Sequence, residues 1–82
     1  MAELSRLEEQ VIEVIADKLG YDTTDFTLES DLRNELGMDS LDEVELCMKF
    51  EKLFDITLPD EEVEEVKTVE QYVKLIASKG VE

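Results

Sequence analysis

The apolar residues of this chain recur at steps of three and four and never alternate over the length of a strand, so the pattern commits the chain to helices. Leu4, Leu7, Val11, Val14, Ile15 and Leu19 draw the first stripe. Ser5 and Glu8 stand at capping-box spacing at its start and Gly20 at its end, which predicts a helix over 5–19. Leu41, Val44, Leu46, Cys47, Met48, Phe50, Leu53 and Phe54 predict a second helix over 40–54, with Asp39 or Ser40 at its N-terminal boundary. Pro59 followed by Asp60, Glu61 and Glu62 suits the opening of a short third helix, to about Glu65, because carboxylates favour the positive end of the helix dipole. Thr68 and Gln71 repeat the capping-box spacing ahead of Val69, Tyr72, Val73, Leu75 and Ile76, a final helix ending near Ser78.

Residues 21–39 mix Asp, Thr, Asn, Ser and Gly with Phe26, Leu28, Leu32 and Leu36, the texture of a long ordered loop pinned by spaced apolar anchors. The expected fold is therefore all-α: a compact four-helix bundle with three longer helices, one short helix and a long loop between helices one and two. A chain of 82 residues buries only roughly two-thirds of its unfolded surface, which suits a single domain over 1–82 with one modest core.

Charge narrows the function. The formal net charge is −15. Residues 35–65 carry twelve acids and two bases, whereas residues 66–82 carry two acids and three bases. So acidic a chain excludes nucleic acid as a partner, is repelled by anionic membranes, and attracts basic patches on other proteins. With no histidine, neither a serine nor a cysteine triad can be built, and the chain does not read as an enzyme. Cys47 is the only cysteine, which rules out an internal disulfide and a zinc cluster and reads as a buried structural thiol. The segment from Asp31 to Glu43 lacks the ligand rhythm of a calcium hand, so no metal site is expected. No uninterrupted apolar run exceeds three residues and the N-terminus lacks a signal pattern, so a cytoplasmic monomer without membrane insertion is expected.

The informative segment is Glu35 to Leu46, where a serine hydroxyl opens a helix just after glycine. Ser40 can serve there simply as a cap. A helix N-terminus also stabilises a phosphate attached to it, by roughly 0.3 to 1 kcal/mol when exposed.

The Asp39-Ser40-Leu41 triplet, with Leu36-Gly37 before it and Asp42, Val44, Glu45 and Leu46 after it, resembles the modification motif of the acyl carrier proteins. Phe54-Asp55, the Leu58-to-Glu62 turn and Thr68-Val69 extend the resemblance along the whole chain. The resemblance implies a carrier for fatty acid or related lipid synthesis, in which a phosphopantetheinyl transferase attaches phosphopantetheine to Ser40, flanked by Asp39 and Leu41. Acyl groups then ride on the arm's thiol as thioesters. It implies docking of acyl-processing enzymes, through basic patches, on Asp42, Glu45, Glu51, Asp60 and Glu64. Leu41 and Met48 would be partly exposed contacts beside them, since Leu41, Val44, Cys47 and Met48 cover too wide an arc for all to point inward. It also implies a space for the acyl chain lined by Leu36, Leu46, Phe50, Leu58, Val63, Val66, Tyr72 and Ile76. Phe50, Val63 and Tyr72 would make that space smaller or differently shaped.

Arg33, Met38, Glu43, Lys49 and Lys52 depart from the family's pattern. Two other readings stay open: a specialised carrier for polyketide, aminoacyl or cell-envelope acyl transfer, and, from another class, an acidic protein-interaction module without a prosthetic group.

Overall fold

A computed structural model describes residues 4–81 and contains four helices: α1 (Arg6–Leu19), α2 (Ser40–Phe54), α3 (Asp60–Val63) and α4 (Val69–Ala77). Each longer helix starts at a reciprocal cap. The Ser5 hydroxyl accepts from the Glu8 N–H at 3.1 Å while the Glu8 carboxylate accepts from the Ser5 N–H at 2.7 Å. Thr68 and Gln71 do the same for α4. Such caps satisfy backbone donors that the first helical turn leaves without partners. Gly20 closes α1 at φ +81°, a conformation that costs glycine little, with its N–H on the Ala16 carbonyl.

The apolar stripes meet in one core. Leu7, Val11, Ile12 and Ile15 enter it from α1, Leu46 and Phe50 from α2, and Val69, Tyr72 and Ile76 from α4. α1 packs against both α2 and α4. The Phe50 and Tyr72 rings lie 5.2 Å apart, centroid to centroid, in the middle of this packing.

The loop between α1 and α2 is pinned as its sequence suggests: Phe26, Leu32 and Leu36 are buried and Leu28 is partly so. Backbone bonds strap it to the first turn of α4 and the residue pair ahead of it. The Leu32 N–H reaches the Lys67 carbonyl at 2.9 Å, and the Glu70 N–H reaches the Leu28 carbonyl at 2.8 Å. These bonds flank a single antiparallel bridge between Asp31 and Thr68, and among the described residues no strand forms. Asp31 also folds the loop over itself, its carboxylate accepting from the Arg33 and Asn34 N–H groups at 3.0 and 2.8 Å. Chiefly the Asn34 bond holds its carboxyl below the usual carboxylate range.

Three details differ from the sequence expectation. α3 ends at Val63 instead of near Glu65, and residues 64–65 continue as a turn. The Glu65 and Val66 N–H groups bond three residues back, and Glu64 and Glu65 put negative charge where the dipole disfavours it. Met38, noted only as a departure from the family's pattern, is a buried core residue at 4 % exposure. Cys47 is half-buried, not buried.

Leu32 is wholly buried at the point where the loop is strapped down. Leu32→Ala is expected to lower unfolding free energy by about 2 to 5 kcal/mol, read from urea denaturation. A loss under 1 kcal/mol would mean the loop is not part of the core.

Candidate functional site

At the start of α2 the chain must turn out of the loop and expose a helix N-terminus. Gly37, at φ +71°, makes the turn, Met38 anchors it in the core, and the Met38 N–H bonds the Leu32 carbonyl at 2.9 Å. Asp39 is then the cap: its carboxylate accepts from the Asp42 N–H at 2.8 Å, and the Asp42 carboxylate accepts from the Asp39 N–H at 3.4 Å. This resolves the boundary between Asp39 and Ser40. Because Asp39 does the capping, Ser40 sits one residue inside the helix, exposed, with no hydrogen bond to its hydroxyl among the described residues.

A groove of about 280 Å³ opens beside that hydroxyl, between α2 and the α3 segment. Ser40, Glu43, Val44, Cys47, Met48 and Glu51 form its α2 wall, and Leu58, Asp60, Val63 and Glu64 face them. Of the eight residues expected to line an acyl space, the groove collects Leu58 and Val63. Leu36, Leu46, Phe50, Tyr72 and Ile76 are buried in the core, and Val66 lies in a neighbouring cleft with Arg33 and Lys67. The Phe50 and Tyr72 rings pack against each other in that interior.

Cys47 closes the floor of the groove, its sulfur 3.3 Å from the Tyr72 hydroxyl. Burial pushes the thiol's pKa up, helped by the carboxylates of Glu43, Glu51 and Asp60, against a smaller opposing effect of the Tyr72 bond. Burial likewise pushes the Tyr72 phenol up.

The expected docking residues separate into two kinds. Leu41 and Met48 are 67 % and 59 % exposed, and Val44, for which exposure was not singled out, stands at 54 %. Together they make an apolar stripe at steps of three and four beside Ser40. Asp60 and Glu64 are exposed across the groove. The other three acids have partners within the fold: Asp42 caps with Asp39, Glu45 pairs with Lys18, and Glu51 accepts from the Leu58 N–H at 2.8 Å, fixing the connection into α3. The Glu45 bond holds the Lys18 pKa up.

Several departures from the family's pattern pair off. Arg33 reaches Glu43 at 2.7 Å, joining the loop to α2, and Lys49 reaches Asp17 on α1 at 3.5 Å. Among the described residues no cluster of three or more His, Cys, Asp or Glu side chains is arranged to hold a metal ion. Nor, among the described residues, is any helix long and apolar enough to cross a membrane.

The family described as "Phosphopantetheine attachment site" matches residues 9–76. The acyl carrier protein of Amoebophilus asiaticus is 42 % identical over 79 residues, covering 96 % of this chain and 99 % of that one. The acyl carrier protein of Clostridium acetobutylicum is 50 % identical over 68 residues, 83 % of this chain and 88 % of that one. Among solved structures, the apo doublet acyl carrier protein from prodigiosin biosynthesis superposes with a TM-score of 0.77 at 25 % identity, over 89 % of this chain and 35 % of the doublet.

The half-buried, acid-flanked Cys47 thiol should react slowly. Iodoacetamide at neutral pH is expected to alkylate it several-fold more slowly in the folded protein than in urea, with the folded rate rising only above the ordinary thiol range. Equal rates in the folded and unfolded protein would contradict the position given to Cys47.

Proposed function

The chain belongs to the acyl carrier protein family, and from that premise we propose that Ser40 is the hydroxyl that bears its prosthetic arm. The protein carries acyl groups as thioesters on covalently attached phosphopantetheine, for fatty acid synthesis or a related pathway. One observation carries the assignment of Ser40. Its hydroxyl is exposed and free because Asp39, not Ser40, caps the helix.

The fit follows from the first turn of α2. A phosphodiester on Ser40 would lie at the positive end of a 15-residue helix, where negative charge is favoured by about 0.3 to 1 kcal/mol. Asp39 keeps the turn rigid without touching the hydroxyl, and Met38 and Leu32 hold the loop behind it. When attached, the group supplies a flexible arm ending in the thiol that forms the thioester; Cys47, weakly ionised and on the floor of the groove, is not that thiol.

The stripe of Leu41, Val44 and Met48 is the contact face for enzymes that attach and process the cargo. Asp60 and Glu64, with no ion pair among the described residues, are the acids freest to meet a basic patch, and Asp42, Glu45 and Glu51 add to the field from their fixed positions. Catalysis belongs to those partners. A monomer in the cytoplasm, keeping its single thiol reduced, is the form that this role asks for. The packed Phe50 and Tyr72 rings favour cargo held in the open groove over long chains drawn into the core.

Incubation with coenzyme A, magnesium and a broad-range phosphopantetheinyl transferase is expected to add one phosphopantetheine to the wild type, read by intact mass. Ser40→Ala should take none while keeping its far-ultraviolet circular dichroism. Modification of the variant would overturn the assignment of Ser40.

A further inference from the structure

The groove beside Ser40 carries four carboxylates, Glu43, Glu51, Asp60 and Glu64, and no cation on its walls. If Ser40 bears the arm, as proposed above, a phosphodiester there adds a further negative charge to this face. The field needs a counter-charge within reach of the helix start, and the loop supplies one. Arg33 stands just outside the groove with its Nη2 2.7 Å from the Glu43 carboxylate.

Glu43 lies one turn along α2 from Ser40, so their Cβ atoms are about 5–6 Å apart. A guanidinium held on Glu43 thus sits on the residue one helical turn from the one that would bear the arm. Guanidinium has five N–H donors in a planar fork, and only one of them is given to Glu43. The Arg33 side chain is 53 % exposed, whereas that of Glu43 is 16 % exposed. The carboxylate is thus the fixed end of the pair, and the guanidinium is open on its solvent side.

We propose that Arg33 fastens the base of the arm, holding the Glu43 carboxylate with one side of its guanidinium and the phosphodiester on Ser40 with the other. Two neighbouring cations fit this less well. Lys18 acts on Asp39 and Asp42 at the helix start as well, but its ammonium is engaged by Glu45 on the side of α2 that faces α1. Lys67 shares the cleft with Arg33, but its charge acts on Asp31. A bridging arginine cancels repulsion between two anions that would otherwise face each other, and it ties the loop to the arm. Arg33 is thus a positioning residue that limits the directions in which the arm leaves the surface.

The test uses the full chain loaded from coenzyme A by a phosphopantetheinyl transferase, with loading confirmed by intact mass. Wild type, Arg33→Gln, Arg33→Lys and Lys18→Gln are compared by phosphorus NMR and by the arginine Nε–H signals, at low and high salt. The Arg33 Nε–H signal, identified by its loss in Arg33→Gln, should move between the unloaded and loaded wild type. The phosphorus signal of Arg33→Gln should differ from that of wild type and Lys18→Gln, with Arg33→Lys between them. High salt should narrow the difference. A loaded wild type in which the Arg33 signal stays put, or a phosphorus signal indifferent to Arg33→Gln, would overturn the inference and leave the attachment site standing. Failure of the wild type to load would overturn the attachment reading and this one with it.

Discussion

Everything at the working end of this molecule depends on which side chain caps α2. The first turn of a helix leaves backbone donors without partners, and one of the residues around its start must supply an acceptor. Had Ser40 supplied it, the hydroxyl would have been spent on the backbone. Asp39 takes that place through a reciprocal bond with Asp42, and Ser40 moves one position into the helix with its oxygen free. The cap holds its place because the residues before it cannot drift: Met38 and Leu32 are buried, and their backbones are bonded to each other and to the segment ahead of α4.

The second constraint is charge. A chain of net charge −15 with most of its acid between residues 35 and 65 must spread like charges over a small surface. Four of its eight cations join elements: Lys18 and Lys49 tie α1 to α2, Arg33 ties the loop to α2, and Lys79 ties the chain after α4 to Glu62. Glu45 and Glu43 are thereby partly neutralised, which leaves Asp60 and Glu64 across the groove as the freer acids. The apolar stripe of Leu41, Val44 and Met48 lies between these charged borders, a surface able to meet a basic partner and release it quickly.

Much of this was legible in the sequence, for physical reasons. The stripes at three- and four-residue spacing and the Ser5–Glu8 and Thr68–Gln71 pairs are local signals, and the helices start where those signals stand. The same spacing at Asp39 and Asp42 was available as a sign of the cap, although an aspartate in place of glutamate made it less conspicuous. What spacing could not convey was how large side chains share the interior. Leu46, Phe50, Tyr72 and Ile76 read as inward-facing from spacing alone, but the packing of the Phe50 and Tyr72 rings against each other shows only in the fold. Contacts between distant segments were equally hidden. Arg33 and Glu43 look like two separate departures in the sequence and are one ion pair in the fold, and Glu51 turns out to fix the turn before α3.

The most direct test of the account is peptide mapping by mass spectrometry of the protein isolated from its own cells, under conditions that preserve thioesters. The account predicts phosphopantetheine on Ser40 within the peptide that spans Asp39 to Lys49, with an acyl group on the arm's thiol and Cys47 unmodified. Protein recovered with Ser40 bare, or with the arm on another hydroxyl, would contradict it.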